Sequence, residues 1–500
     1  MDKYLLGIDI GTTSVKCIVC NASSYKIICT ASANHNLSSP FPGWAEENPA
    51  DWWKNTLGTI KTCLDKGMDP HKIAGIGVSG MVPAFLLLDD KGRVLRPSMQ
   101  QSDSRTFNEI NFIKKEIGSD DFFRITGCAI NQQMVGPKIL WMEKNEPGIL
   151  SKAKKILGSY DYIVYKLTGK FSLERNWALE SGLYDVNLED WSEELLEVVN
   201  AKKNLFPQIN NPSDVVGTVT SNVAEITGLI EGTPVVAGTA DHISSALMAG
   251  IQDDGDLLLK YGGAADILYS TDSLITDRRL FIDYHLIPGK YLINGCMASS
   301  GTLLKWFVEQ FFSCEKVNFS ELDRQAEKIE SGSEGLITLP YFIGEKTPIF
   351  DPIARGVIFG LTIHNTRYHI YRSILEAVGY GFQHHIDVLK EMGLEPKNVI
   401  ATNGGAISKT WGQITSNIIG YPIHYLDQNP GSSLGAAFVA GIGTGCFNNW
   451  SEVRKFIKIV DVVNPDPTEH FYYQKYYSIY KELYLALKNI YKKTNEIKSL

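Results

Sequence analysis

The chain has 500 residues, 44% of them hydrophobic and 21% charged, and a formal net charge of −8. Such a length exceeds what one hydrophobic core usually serves, so two or more domains are expected, with the composition of an ordinary globular protein. The acidic balance argues against a nucleic-acid partner, whose affinity comes mainly from neutralised phosphates; it leaves room for a nucleotide held by backbone amides, helix ends and a metal ion.

In chain order, MDKYLLGIDIGTTS enters a strand at once, with no basic n-region, long apolar h-region or small-residue cleavage site. The longest apolar run, residues 74–88, is broken by glycines, Ser79 and Pro83, so no membrane span is expected and a cytoplasmic location is the default. YLLGIDIG, VKCIVCN and IICTAS, separated by GTTS and SSYK, read as an antiparallel meander. The eight cysteines are scattered. Cys17 and Cys20 form a C-x-x-C without a second pair nearby, and positions three apart on a strand face opposite sides, so free buried thiols are expected rather than a metal site.

Asn48, Pro49 and Asp51 resemble a capping box and predict a helix start. IAGIGVSG is then a buried strand, and LLLDDKGRVLRP a hairpin turning at Asp89 to Gly92. Residues 105–205 read as mainly helical, and PVVAGTAD closes this half as a strand. The second half opens with GDLLLKYGGAADILYSTD, a hairpin laid out like the first. Such a repeat predicts two similar α/β domains, residues 1–245 and 246–500, facing a cleft. Near the end, Tyr473, Tyr476, Tyr477, Tyr480, Tyr484, Leu487 and Tyr491 recur at spacings that mark one face of a helix, expected to pack on its own domain.

Neither a Walker loop nor a dinucleotide-binding G-x-G-x-x-G in its strand and helix context is present. The hairpin turns are the alternative phosphate cradles. Gly11-Thr12-Thr13-Ser14 and Gly262-Gly263-Ala264-Ala265 both bring amides close to an anion. Either alone could be only a tight turn; the pair, each opening its half, favours phosphates. Asp9, two residues before the first turn and on the face of Gly7 and Gly11, suits Mg²⁺, which takes one or two carboxylates; its other reading is a hydrogen bond to its own turn. Asn403-Gly404-Gly405-Ala406 lets a flat ring or a ribose lie against the backbone, with Ser408 capping the next helix. Asp241 stands in VVAGTADHISSALMA, an apolar, glycine-rich segment where a carboxylate is costly to desolvate unless it is paired or has work to do.

Together these motifs resemble the FGGY family of carbohydrate kinases, within the actin, sugar-kinase and heat-shock ATPase superfamily. GIDIGTTS resembles the family's first phosphate motif, YGGAAD stands where the second is found, and NGGAISKTWGQITSNIIGYPI resembles the adenosine motif. GVIFGLTIHNTRYHIYRSILE, Gly356 to Glu376, fits a family signature throughout, and LPYFIGEKTPIFDPIARG is similar to the matching stretch of the family's xylulose kinases. The other signature, around GPKILWMEKNEP, is approximate, because Val135 replaces an expected Ser, Thr or Pro.

The resemblance implies an α/β fold of two actin-like, ribonuclease H-like domains around a central cleft. It implies ATP and Mg²⁺, with Asp241 as the base that deprotonates a primary hydroxyl of a small sugar, a ketopentose such as xylulose. Gly11, Thr12, Thr13, Gly262, Gly263, Ala264, Gly404, Gly405, Ala406 and Ser408 would hold the nucleotide, and Asp9 the metal. His242 is expected to be a packing or hydrogen-bonding residue, and dimers are common among similar kinases.

Two departures bear on the sugar. Where xylulose kinases carry Gln-Met-His-Gly, this chain has Gly80-Met81-Val82-Pro83, and Trp-Asn-Asp-Gly-Arg appears as Gln101-Ser102-Asp103-Ser104-Arg105. Met81 is a candidate wall, and Gln101 and Asp103 candidate hydroxyl ligands, each equally open to a structural role. The substrate could thus be ribulose, a hexulose or a glycerol-like polyol. From another class, the rival is a nucleotide-gated binding protein similar to actin or the chaperone ATPases, which lack the VVAGTAD base and the FGGY signature.

Overall fold

The computed structural model describes residues 2–312, 317–402, 404–427 and 431–498. The chain divides into two compact units. The first is Met1–Gly250 with Ile282–Tyr291 and Pro430–Ile457, the second Ile251–Phe281 with Leu292–Asn429 and Lys458–Leu500. The sequence suggested one cut near residue 245; instead, two later segments rejoin the first unit. Among the described residues no helix is long and apolar enough to cross a membrane.

The first unit is built on a sheet in the order Val215–Thr218, Pro234–Val236, Ile73–Gly80, Tyr4–Ile10, Ser14–Asn21, Ile27–Asn34, with Thr239–Ala240 also pairing with Ile73–Gly80. The meander is antiparallel as predicted, whereas Tyr4–Ile10 and Ile73–Gly80 run parallel. Leu5, Leu6, Ile8 and Ile10 are wholly buried. Helix Gly431–Gly443 lies on these two central strands. A Cβ on Gly7 would overlap the Ser433 carbonyl oxygen, and one on Gly77 the Ala436 carbonyl oxygen. The strand glycines therefore admit a helix backbone, and the small residues of GSSLGAAFVAGIG complete the fit.

Helix Pro49–Leu64 starts where expected, Asn48 Oδ1 accepting from the Ala50 N–H. The predicted hairpin at Asp89 differs. Its turn forms, with Asp89 Oδ1 accepting from the Lys91 and Arg93 N–H groups. Its return arm is one bridge, Leu88 to Val94, and Leu86–Leu88 pairs instead with Lys155–Leu157, which completes the ladder. Cys17, Cys20, Cys29, Cys63 and Cys128 are free and buried, Cys296 and Cys446 free and half-buried; Cys314 lies outside the described residues.

The second unit repeats the plan. Its sheet runs Phe281–Tyr284, Tyr291–Met297, Ala265–Thr271, Asp256–Tyr261, Asn398–Thr402, Ile423–Leu426, Ile459–Val463. An antiparallel hairpin is followed by two parallel neighbours and an antiparallel edge, the same sequence of pairings as in the first sheet. Helix Pro467–Lys498 buries Tyr473, Tyr477, Tyr480, Tyr484 and Tyr491 against this unit. Their hydroxyls meet Glu376, Asp387, Tyr341, Asp351 and the Arg355 carbonyl respectively. Tyr476 and Leu487 are half-buried at its margin.

Candidate active site

In the first unit three strands run parallel and end together. Asp9 pairs with Ser79 and Ser79 with Thr239; one residue on, Ile10 pairs with Gly80 and Gly80 with Ala240. Asp241 follows as the first residue of helix Asp241–Met248. The predicted strand PVVAGTAD is broken at Gly238, whose φ of 101° and closeness to the Val78 carbonyl leave no room for a side chain. That kink delivers Asp241 to the carboxyl ends of the strands, where open α/β sheets bind ligands.

Asp9 is 6% exposed. Its Oδ1 accepts from Ser79 Oγ at 2.9 Å. Burial, and next the nearby charge of Asp241, raise its carboxyl to about 6, against the opposing pull of Ser432, Ser79 and Lys16. Ser432 belongs to the returning segment, and Ser244 Oγ donates to its carbonyl at 2.8 Å, which ties helix Asp241–Met248 to it. Of the first turn, Gly11 is half-buried, with its N–H bonded to the Ser14 carbonyl, and Thr12 and Thr13 are exposed.

The Asp241 side chain is 37% exposed, and its neighbours are ionisable. His242 Nδ1 lies 3.6 Å from Asp241 Oδ1, while its Nε2 lies 3.2 Å from Asp283 Oδ2 and 3.9 Å from Glu180 Oε1. Burial, then the charges of Asp283, Asp241 and Glu174, hold the Glu180 carboxyl well above the carboxylate range, with only His242 opposing. His242 is held protonated well above its ordinary range. Burial alone would lower it, but Asp283, Asp241 and Glu180 outweigh that.

In the second unit, Gly262, Gly263 and Ala264 form the hairpin turn between the paired Tyr261 and Ala265. The Gly262 carbonyl accepts from Gly301 N–H and that of Gly263 from Ser300 and Thr302, which fixes the turn on the start of helix Gly301–Phe311. A cavity of about 970 Å³ opens beside it, lined by Gly262, Gly263, Leu304, Phe319, Gly404, Gly405, Ile407, Ser408 and Trp411 among others. Its volume and apolar walls suit a nucleoside. Ser408 caps helix Lys409–Ile419 by accepting from Trp411 N–H and donates to Asp323 Oδ2, which also lines the cavity. Ala406 lies on the same turn but lines a neighbouring depression with Tyr425 and Val460. Asn403 lies outside the described residues.

The residues expected at the sugar fare unevenly. Asp103 is wholly buried; its Oδ2 accepts from Ala45 N–H and Arg105 Nη2, and its Oδ1 from Arg105 Nε. Arg105 stacks on Trp44 and Trp141 and pairs with Glu46. Of the two readings of Asp103, the contacts match the structural one: its oxygens hold a buried arginine. Met81 is 1% exposed, its N–H bonded to Ile10 and its carbonyl to Ser159 Oγ. Gln101 is half-buried, with Gln133 Nε2 at 3.5 Å.

Sequence reasoning missed Ser79, Ser432, Glu180, Asp283 and Asp323. Only Ser79 had a signal, its place at the end of IAGIGVSG level with Asp9.

The N-terminal domain model of the FGGY family of carbohydrate kinases matches residues 4–248, and the C-terminal domain model residues 269–444. The xylulose kinase of Lactococcus lactis is 30% identical, over 99% of this chain and 97% of that one. A solved xylulose kinase from Rhodospirillum rubrum is 39% identical with a TM-score of 0.92, covering 98% of this chain and 100% of that one. A solved gluconate kinase from Lactobacillus acidophilus is 26% identical with a TM-score of 0.93, covering 99% and 100%. With both of its domain models matched and relatives aligned end to end, this chain belongs to the FGGY family of carbohydrate kinases.

Proposed function

We propose that this kinase transfers the γ-phosphoryl group of ATP to a primary hydroxyl of a neutral ketopentose, xylulose, with Asp241 as the base. The observation that carries the reading is Asp241 itself. It is a partly exposed carboxylate at the carboxyl end of a parallel strand, two register rows beyond buried Asp9. The sugar oxygen attacks the γ-phosphorus, the bond to the β-phosphate bridging oxygen breaks, ADP leaves, and the hydroxyl proton passes to Asp241.

Gly11, Thr12 and Thr13, and Gly262, Gly263 and Ala264, are assigned to phosphate oxygens. Gly404, Gly405, Ala406 and Ser408 are assigned to the nucleoside beside the cavity. Mg²⁺ fits Asp9, because a buried carboxylate raised by a second carboxylate is relieved by a cation. When bound, the ion would neutralise phosphate charge.

The surroundings of Asp241 favour a neutral acceptor over an aldonate. With Asp9 assigned to the cation, Asp241 and Asp283 still face a single imidazolium, so a substrate carboxylate would meet like charge. Relatives named xylulose kinase support the same choice.

The test is a coupled ADP-release assay over xylulose, ribulose, gluconate and glycerol. Xylulose should give the highest kcat/KM, with gluconate at least about tenfold lower; preference for gluconate would refute the substrate. Asp241→Asn should lower kcat by roughly 10²-fold or more with the KM for ATP nearly unchanged. Turnover within a few-fold of wild type would refute the base.

A further inference from the structure

His242 reaches a carboxylate with each end of its ring. Nδ1 faces Asp241 Oδ1 at 3.6 Å, and Nε2 faces Asp283 Oδ2 at 3.2 Å with Glu180 Oε1 at 3.9 Å. A neutral imidazole carries one N–H, so one of these approaches would set a ring lone pair against a carboxylate. A ring with both nitrogens protonated satisfies both. We propose that His242 is a positioning residue, an imidazolium strut between Asp241 and the buried Asp283 that aims the base and balances the negative charge around it. The proposal rests on Asp241 being the base.

The groups that face the strut support a charged ring. Asp241 comes from its own helix, Glu180 from helix Arg175–Glu180, and Asp283 from strand Phe281–Tyr284. Glu174 acts on Glu180 from behind, and Cys128 lies near both Glu180 and Asp283. Asp9 faces Asp241 from the first strand. These neighbours are acidic or neutral, and together they hold His242 protonated well above its ordinary range despite its burial. Asp283, with a side chain 1% exposed, is the fixed end. Asp241, with 37% exposed, is the end free to meet a hydroxyl. A carboxylate that loses a neighbouring cation binds a proton more readily, and a base that already holds a proton cannot take one from the sugar.

The rival is a metal ion held by Glu180, His242 and Asp283, whose donor atoms lie within 4.8 Å of one another. Protonation of Nε2 separates the two. In ¹⁵N-labelled full-length protein, the His242 ring signals are those lost in His242→Gln. Both nitrogens should be protonated at pH 7.5; a bare Nε2, whether neutral or metal-bound, overturns the proposal. Kinetically, His242→Gln should leave the KM for sugar within about threefold. It should move the acid limb of the rate profile up by about one unit, so that the loss of kcat nears tenfold below that limb and vanishes above it. A raised sugar KM with the acid limb unmoved would make His242 a substrate ligand and overturn it. Should His242→Gln not fold, Asp283→Asn identifies the same ring by moving its loss of a proton to lower pH; no movement overturns the proposal. Asp241→Asn, assayed in parallel, reports separately on the base.

Discussion

In the hairpin that opens the first unit, Asp9 stands two residues before the turn and faces Lys16 across the ladder. In the hairpin that opens the second, the position two before the turn is Lys260, and it faces Asp266. The pairings and topology around them correspond, but the charges are exchanged. Their surroundings differ as well. Asp9 lies beside Asp241 and is raised to about 6, whereas the second turn borders a cavity walled by Leu304, Phe319 and Trp411. One backbone device, used twice, can thus serve two partners, because the strand register fixes where a side chain stands and leaves its charge open. On the reading proposed above, both turns are assigned to phosphate oxygens, but the first copy also faces the cation and the acceptor, and the second borders the cavity assigned to the nucleoside.

Removing the first copy's charge is the most damaging way to break this division. Asp9→Asn should lower kcat on the order of 10²-fold and raise the Mg²⁺ concentration needed for half-maximal rate, with sugar affinity by calorimetry little changed. If metal dependence stays the same while sugar affinity falls, Asp9 belongs to the sugar, and the two hairpins do not divide the work in this way.

A smaller effect is expected at the cavity beside the second copy. A Cβ on Gly405 would stand 2.6 Å from both the Trp411 ring and Tyr261 Cβ, so Gly405→Ala narrows the cavity without touching a charge. The KM for ATP should rise by about tenfold, with the Mg²⁺ dependence and the KM for sugar unchanged. An unchanged KM for ATP would place the nucleoside elsewhere.

The hairpins, their turns and the tyrosine-faced final helix were legible because each is a local pattern, set by alternation or by helical spacing. Asp241 was legible as a costly carboxylate in an apolar segment. What escaped the sequence depends on distant chain returning to one place. Glu180, His242 and Asp283 meet although Asp283 lies 41 residues beyond His242. Helix Gly431–Gly443 docks on strands from the start of the chain through Gly7 and Gly77, which the sequence alone shows only as members of strands. The partners of Asp103 escaped the sequence for a different reason. A motif records which residue is present and not its neighbours, and here Arg105, lying over two tryptophan rings, donates to both carboxylate oxygens.

The smallest predicted effect contrasts the units through their buried charges. In the first, Lys138 donates to the Gln100 and Gln133 carbonyls, and burial lowers its ammonium to about 7. In the second, Glu345 accepts from Ala298 and Lys346 N–H, and burial raises its carboxyl to about 8. The signs are opposite. Between pH 7 and Lys138's ordinary value of 10.5, the unfolded chain binds the extra proton, so this group's contribution to stability grows as pH rises. Between Glu345's ordinary 4.5 and pH 8 the folded chain binds it, so that contribution falls as pH rises. Taken from about pH 6 to about pH 9, the melting temperature of Lys138→Met should drop relative to wild type and that of Glu345→Gln should climb, each by a few degrees. Two variants moving in the same direction would mean that at least one of these side chains is solvated, and that the contrast between the units does not extend to their interiors.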